Sequence, residues 1–228
     1  MAHSVLIIGE SGSGKSTGIR NLNPAETVII NVANKPLPFR GWKSAYVRGE
    51  NMYTIKEFTN AQGIVDESVL GGIFRSVNEN ESIKTLIIDD FQYIFAQEYF
   101  AKADEKGYEK FTKLAKLMNK LSTYPIKMRD DLTVFFLTHS EEAYDSDGNR
   151  RVKAKTIGKM IDNVLTLEGL FSIVLFAKAK KTKEGISYLF ETQTNGENTC
   201  KSPMGMFESK EIDNDLEFVR TSIINYEN

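Results

Sequence analysis

Continuous apolar runs recur along the chain and alternate with stretches of helical periodicity. Runs without polar alternation are typical of parallel strands that are buried on both faces. The main runs lie at residues 5–8, 27–32, 84–90, 132–138 and 171–177. A shorter run at 45–47, which ends at Arg48-Gly49-Glu50, predicts a further strand. Residues 186–191 are expected to pair with 171–177 through the turn near Glu184-Gly185.

The stretches between these runs have the apolar spacing of helices. Residues 54–77, 91–122 and 213–226 are predicted to be helical, the last as a short amphipathic segment. Strands that alternate with helices over this length predict one α/β domain at residues 1–228. We expect a mostly parallel sheet with helices on both faces and a C-terminal antiparallel extension.

The residues that follow the first strand carry a complete phosphate-binding pattern, G-x-x-x-x-G-K-[ST]. They are Gly9, Glu10, Ser11, Gly12, Ser13, Gly14, Lys15, Ser16 and Thr17. Glycines allow successive N–H groups to point at a phosphate, and the helix that starts near Gly14 adds its positive end. Lys15 is expected to reach the β- and γ-phosphates of ATP, and the Ser16 hydroxyl to bind Mg²⁺.

A second part of such a site is an acidic residue at the end of another buried strand. Asp89 lies near the end of the run at 84–90 and is predicted to orient Mg²⁺. Either Glu50 or Asp90 could position the attacking water, and strand alternation slightly favours Glu50. Thr138 and His139 end the next strand, where a side chain could sense the γ-phosphate; capping or core roles for both remain open.

Several classes of P-loop protein are disfavoured by the motifs that this sequence lacks. Gln92 stands where a GTPase would have the glycine of D-x-x-G, and Asn34-Lys35-Pro36-Leu37 lacks the acid of a guanine motif. A nucleotide kinase would need an arginine-rich lid, for which only Arg150-Arg151 is available. A typical AAA+ protein has a helical C-terminal lid, whereas this chain is rich in strands after residue 170. The pattern favours a RecA-like core.

Composition limits the partners and the compartment. The net charge of −2 over 228 residues excludes a generally basic nucleic-acid coat, so any such contact needs a local patch. A single cysteine, Cys200, excludes an internal disulfide. No apolar run approaches the roughly 20 residues of a membrane span. We therefore expect no membrane association and a cytoplasmic protein.

The chain resembles the phage-encoded RecA-core ATPases, a group of phage nucleotide-binding AAA-type proteins that includes single-strand-annealing recombinases. The similarity spans nearly the whole chain. Its motifs are GESGSGKST at 9–17, LIIDDFQY at 86–93, FFLTHSEE at 135–142, KAKTIGKMIDN at 153–163 and QTNGENTCKSPMGMF at 193–207. The resemblance implies an ATPase that assembles into homo-oligomers and binds single-stranded DNA during recombination or replication, in the cytoplasm of the host cell.

The same resemblance suggests roles for two basic segments. The loop after the sensor strand would face the DNA, and its cations here are Arg150, Arg151, Lys153, Lys155 and Lys159. A solvated hairpin is the alternative interpretation. Lys201 would complete the active site of a neighbouring subunit, unless it is simply a surface lysine. A nucleotide-gated binding or assembly module with little hydrolysis remains a second functional hypothesis, and a small-molecule kinase a third.

Overall fold

A computed structural model describes residues 1–144, 147–183 and 185–227, without the side chains of Lys159 and Met160. Among these residues nine strands form one sheet. They are β1 (His3–Gly9), β2 (Thr27–Asn31), β3 (Met52–Thr54), β4 (Thr85–Asp89), β5 (Thr133–Tyr144), β6 (Arg150–Ala154), β7 (Ile173–Thr182), β8 (Gly185–Glu191) and β9 (Glu211–Asp213).

The order of the strands confirms the predicted fold class. The sheet runs β3-β2-β4-β5-β1-β7-β8-β9, and β6 pairs with the outer part of β5. Strands β1 to β5 and β7 pair in parallel, whereas β6, β8 and β9 are antiparallel. The carboxyl ends of the parallel strands therefore meet at one edge, which we call the carboxyl edge; the opposite side is the amino edge.

Helices cover both faces of the sheet. The α-helices are α1 (Trp42–Ala45), α2 (Glu67–Glu79), α3 (Gln92–Ala101), α4 (Glu109–Thr123), α5 (Lys159–Asp162) and α6 (Leu216–Glu227). Short 3₁₀ helices lie at Ser16–Asn21, Pro24–Glu26, Ile55–Glu57, Tyr124–Lys127 and Leu167–Leu170. None of the helices in the described ranges has the length and hydrophobicity that crossing a membrane requires.

Two hydrophobic cores explain why the strands read as unbroken apolar runs. On β1, Leu6 and Ile8 pack into the core that contains α2, α3 and α4. Val5 and Ile7 point to the other face and pack into the core that contains α6. Because alternate side chains of a strand point to opposite faces, both sets must be apolar.

The predicted strand at 45–47 is wrong. Residues Trp42–Ala45 form α1, and the strand comes later, at Met52–Thr54. The side chain of Asn51 accounts for the difference, because it accepts from the N–H of Val47 and donates to the carbonyls of Pro24 and Ala45. Such local bonds from an asparagine compete with strand pairing and close a turn instead.

Two predicted helices are shorter than expected. The segment 54–77 has only a short 3₁₀ helix at Ile55–Glu57 before α2 begins at Glu67, where Asp66 caps α2 by accepting from the N–H groups of Ser68 and Val69. The segment 91–122 is divided into α3 and α4, and the break contains Gly107 at a φ of 93°. A backbone angle in the left-handed region cannot continue a helix.

Two β-hairpins extend past the carboxyl edge on either side of β1. Gly9, the last residue of β1, is level with His139, and β5 continues from there to Tyr144 before β6 returns. On the other side β7 continues past Phe176 to Thr182 before β8 returns. The loop after β1 therefore lies between two hairpins.

Candidate nucleotide site

The loop after β1 has the backbone geometry of a phosphate cradle. Gly12 and Gly14 adopt φ angles of 80° and 92°, which L-residues rarely adopt. A Cβ on Gly14 would lie 2.7 Å from the Tyr188 ring, so this position also lacks room for a side chain. The segment Ser16–Asn21 that follows is a 3₁₀ helix, tighter than the helix that the sequence suggests. Glycine is thus required at both positions that curl the loop.

Lys15 is held inside this loop. Its ammonium donates to the carbonyls of Gly9 and Glu10, at 2.8 Å each, and the residue is buried. Burial lowers the pKa of Lys15 to about 8, although Asp90 and Asp89 act to raise it. The lysine therefore lies at the centre of the cradle and already faces two carboxylates.

Ser16 and Asp89 are brought together from distant parts of the chain. The Ser16 hydroxyl donates to Asp89 Oδ1 at 2.9 Å. Burial and the nearby Asp90 raise the pKa of Asp89 to about 6. A hydroxyl and a carboxylate oxygen at the mouth of a phosphate cradle are the hard oxygen ligands that Mg²⁺ prefers. The residues present fit Mg²⁺ and a nucleotide phosphate.

Asp90 makes a separate set of contacts on the other side of the cavity. Its backbone has a φ of 60°, in the left-handed region that breaks the extended conformation of β4. Its carboxylate accepts from Lys35 Nζ at 2.8 Å and lies 3.3 Å from His139 Nε2. Burial raises the pKa of Asp90, but hydrogen bonds from His139 and Lys35 outweigh it and lower the pKa below its usual value.

These groups line one cavity of about 280 Å³ at the carboxyl edge. Its lining comprises Ser11, Gly12, Gly14, Lys15, Ser16, Thr17, Lys35, Pro36, Pro38, Asp89, Asp90, His139 and Tyr188. Lysines, carboxylates and inward-facing backbone can together bind a metal-bound polyphosphate.

The comparison with known families agrees with this geometry. A family described as AAA domain matches residues 1–204. The chain belongs to the AAA_24 family. It is therefore a member of a family of P-loop, nucleotide-binding ATPases.

Two solved structures are similar to this AAA_24 protein at low identity. A KaiC-like protein from Pyrococcus horikoshii OT3 is 14% identical, with a TM-score of 0.44 over 83% of this chain and 77% of that one. The flagellar accessory protein FlaH from Methanocaldococcus jannaschii is 9% identical, with a TM-score of 0.44 over 92% of this chain and 83% of that one. A search of the curated proteins finds no match to the sequence.

The expectation that Glu50 belongs to the nucleotide site of this AAA_24 protein is wrong. Glu50 is exposed and precedes β3, and Met52 is the partner of Ile29 in the parallel register. Asn51 contacts the carbonyl of Pro24, just before β2 begins. Glu50 therefore lies at the amino edge, on the opposite side of the sheet from Lys15. It cannot position water at this cavity.

Thr138 is also placed differently from the expectation. It is fully buried, and its hydroxyl donates to Gln92 Oε1 at 2.9 Å, which also accepts from the His139 N–H. His139 lines the phosphate cavity, whereas Thr138 does not, and its partner Gln92 lines the neighbouring cavity instead. The Gln92 Nε2 is buried and has no hydrogen-bond partner within the described ranges.

Lys201 and the described cations of the basic segment do not line this cavity, although Arg150 and Lys155 line neighbouring cavities that share Ser11 with it. The backbone of Lys201 pairs with Val174 on β7, at 2.8 and 2.9 Å, and Val174 is level with Leu6, below the end of β1. Arg150 and Lys153 are on β6, and Lys155 follows it. The side chain of Lys159 lies outside the described part of the structure.

Four residues of the cavity lie outside the sequence motifs: Lys35, Pro36, Pro38 and Tyr188. Lys35 and Pro36 follow β2, so the rule that strand ends meet at one edge could have indicated them. Tyr188 comes from the antiparallel strand β8, more than 170 positions after Gly14. No spacing rule connects these positions, and only the tertiary packing brings Tyr188 to the loop.

Proposed function

We propose that this AAA_24 protein binds Mg²⁺-ATP, hydrolyses it, and uses this cycle on single-stranded DNA in phage recombination or replication. The observation that carries the proposal is the hydrogen bond between Ser16 and Asp89 beside the buried Lys15. It joins the two halves of a P-loop nucleotide site that are far apart in sequence. Such a site needs both halves for hydrolysis.

In this proposal the loop residues bind and orient the phosphates. The N–H groups around Gly12 and Gly14 face the phosphate oxygens, and Lys15 leaves the carbonyls of Gly9 and Glu10 to contact them. Ser16 and Asp89 would hold Mg²⁺, which supplies Lewis-acid stabilisation of the transferred phosphoryl group when bound. Tyr188 covers the loop at Gly14 and limits access of solvent from that side.

Asp90 is the residue that we propose to orient the attacking water. It is the carboxylate beside Asp89 that lines the cavity, and Glu50 is excluded by its position at the opposite edge. His139 Nε2 lies 3.3 Å from Asp90 Oδ1 and fixes the direction of the carboxylate. A carboxylate in hydrogen-bonding reach of water can act as general base.

Contact with single-stranded DNA is proposed for the two hairpins. On β5–β6 the candidates remain Arg150, Arg151, Lys153, Lys155 and Lys159. Arg150 pairs with Glu142, and Lys153 pairs with Glu141 and Asp162, so part of this charge is already neutralised. Lys155 is exposed, so its charge is accessible to a nucleic-acid phosphate on this side of the loop.

The β7–β8 hairpin adds cations that the sequence motifs do not indicate. β7 and its turn carry Lys178, Lys180, Lys181 and Lys183. Lys178 pairs with Glu191 and Lys180 with Glu211, while Lys181 and Lys183 are exposed. Two basic hairpins on either side of the loop could track a nucleic-acid backbone, and binding of this kind weakens steeply with salt.

Assembly into homo-oligomers with shared sites is part of the proposal. Lys201 would contact the γ-phosphate in a neighbouring copy and stabilise charge in the transition state. The resemblance to phage proteins supports this role, together with a location in the host cytoplasm. Lys201→Ala should then lose turnover and keep nucleotide binding, and normal turnover in this variant would exclude the role.

A nucleotide-gated binding module is the second candidate. The observation in its favour is that Asp90 is already paired with Lys35 and His139, which would slow water activation. One experiment separates the two functions: phosphate release from Mg²⁺-ATP with and without single-stranded DNA, in wild type and in Lys15→Ala. DNA-stimulated release that the variant loses supports the ATPase. DNA binding that depends on nucleotide, without release, supports the module.

A further inference from the structure

The backbone of Lys35 is held at the edge of the nucleotide cavity by two hydrogen bonds from the side chain of Asn31. The side chain of Asn31, the last residue of β2, donates from Nδ2 to the Lys35 carbonyl at 2.6 Å and accepts from the Lys35 N–H at 3.2 Å. Asn31 is buried and lies beside Asp89 in the register of β2 and β4. The backbone of Lys35 is therefore fixed next to the metal-binding carboxylate, whatever its own side chain contacts.

The side chain of Lys35 is free to change its conformation, although its backbone is held in place. Its side chain is 60% exposed, although Nζ lies 2.8 Å from Asp90 Oδ2. Nζ also lies 5.4 Å from the centre of the Tyr93 ring. An ion pair with one such exposed partner holds only weakly, because water screens the charges and the flexible stem loses entropy.

This ammonium stands between two cavities. Lys35 lines the phosphate cavity of about 280 Å³ and a neighbouring one of about 660 Å³. His139 lines both as well, and the second cavity is bounded by Tyr93, Tyr99 and Phe100. A nucleotide in the cradle would place its outermost phosphate near Asp90 and His139. The Lys35 ammonium could reach this position by rotation of its side chain.

We propose that Lys35 is a γ-phosphate ligand supplied by the same chain, and that Asp90 holds it when no nucleotide is bound. The inference rests on the proposed nucleotide-binding function and names a further residue of that site. A terminal phosphate carries more negative charge than a carboxylate, so it attracts the ammonium away from Asp90. ADP lacks this phosphate and leaves Lys35 where it is. Lys35 therefore distinguishes ATP from ADP.

The movement also prepares Asp90 for the reaction. Once Lys35 has left, Asp90 Oδ2 is available to accept a hydrogen bond from water. The water oxygen forms a bond to the γ-phosphorus, and the bond from that phosphorus to the bridging oxygen breaks, with its electron pair remaining on ADP. The proton of the water goes to Asp90 and then to solvent. Lys35 stays protonated throughout and stabilises the charge on the transferred group.

The test compares Lys35→Ala and Lys35→Arg with wild type, and uses Lys127→Ala as a matched control. Lys127 is an exposed lysine in a 3₁₀ helix at the amino edge, far from the cavity. Affinities for ADP and for a non-hydrolysable ATP analogue, both with Mg²⁺, are measured by calorimetry. Phosphate release gives kcat and KM, and thermal unfolding confirms that each variant is folded.

Lys35→Ala should weaken the ATP analogue about 10-fold to 100-fold and change ADP less than about threefold. Its kcat should fall by at least about 10-fold, and Lys35→Arg should recover most of both losses, because the positive charge is retained. Lys127→Ala should match wild type. Equal weakening of both nucleotides, an unchanged ratio of affinities, or a faster kcat in Lys35→Ala would each overturn the proposal.

Failure of the inference can be told apart from failure of the proposed function. If wild type binds nucleotide but releases no phosphate, the ATPase function fails and the ratio of affinities still decides the role of Lys35. If wild type hydrolyses ATP and the ratio is unchanged in Lys35→Ala, only the inference fails. If wild type binds neither nucleotide, both are wrong.

Discussion

The two edges of the parallel sheet both carry charged side chains, but they arrange them in opposite ways. At the amino edge Arg129 donates to the carbonyls of Val77, Asn78 and Ile83, and its guanidinium pairs with Asp131. The carbonyls of Val77 and Asn78 belong to the end of α2, and that of Ile83 to the segment just before β4. One side chain therefore satisfies the backbone of two segments and pairs its own charge with a carboxylate.

At the carboxyl edge the charges face one another across a cavity. Lys15 and Lys35 line this cavity together with Asp89 and Asp90. Lys35 pairs with Asp90, Ser16 donates to Asp89, and Lys15 donates to two loop carbonyls, and each of these contacts can be replaced by a ligand. The comparison teaches that a cation enclosed by backbone carbonyls away from the cavity stabilises the fold, whereas a cation that lines the cavity is available for a ligand. This holds for Lys15 too, although its present partners are the carbonyls of Gly9 and Glu10. Stability and activity should thus be separable by edge.

The largest effect is expected at Lys15. Lys15→Ala removes the ammonium at the centre of the cradle, and the affinity for Mg²⁺-ATP should fall about 100-fold or more, since hydrogen bonds to charged groups are the strong ones. The free energy of unfolding should not fall in parallel, because the wild-type lysine is buried at a cost that lowers its pKa to about 8. Calorimetric titration and urea unfolding measure the two quantities. A variant that binds ATP normally would place the phosphates elsewhere.

Arg129 should give the reverse result. Arg129→Ala leaves several carbonyls without their donor, and the free energy of unfolding should fall by about 3 kcal/mol. For a chain of this length the Tm should fall by about 6–12 °C. The kcat per folded molecule should stay the same below the transition. A loss of kcat without loss of stability would show that the amino edge is not merely structural.

A smaller effect is expected from the coupling of Ser16 and Asp89. In a double-mutant cycle of Ser16→Ala and Asp89→Asn, each single change should weaken Mg²⁺-ATP binding about 10-fold. The double variant should lose less than the product, with a coupling of about 1 kcal/mol or more. The exposed pair Glu109 and Lys113 on α4 is the matched control, and its cycle should leave the affinity unchanged. Strict additivity at Ser16 and Asp89 would argue against a shared metal.

The smallest effect is expected at Glu50. Glu50→Gln alters an exposed side chain at the amino edge, and kcat should stay within about twofold of wild type. Phosphate release under saturating ATP measures it. A fall of more than about 10-fold would mean that this edge reaches an active site, for instance that of a neighbouring copy.

The fold class could be predicted from the sequence, and so could the meeting of the glycine-rich loop with Asp89, because both depend on local patterns. Continuous apolar runs imply parallel strands, and residues 9–17 with Asp89 follow a spacing that the chemistry of phosphates requires. The parallel register then brings Ser16 and Asp89 within 2.9 Å.

The remaining residues of the cavity, to which we assign turnover in our proposal, are harder to predict because their positions depend on where loops return. The strand assigned to 45–47 placed Glu50 at the wrong edge, since the bonds of the Asn51 side chain were not visible in the pattern. Lys35 belongs to a loop whose position depends on two hydrogen bonds from Asn31. Tyr188 reaches Gly14 only because β8 folds back beside β7.

The most direct test of the division between binding and turnover is a single-turnover measurement on Asp90→Asn, with the affinity for Mg²⁺-ATP measured on the same sample. The amide keeps the size of the carboxylate but cannot take a proton from water. We expect the hydrolysis rate to fall about 100-fold or more. The affinity should stay within about threefold of wild type. An unchanged rate, or a loss of affinity that matches the loss of rate, would contradict this account of the site.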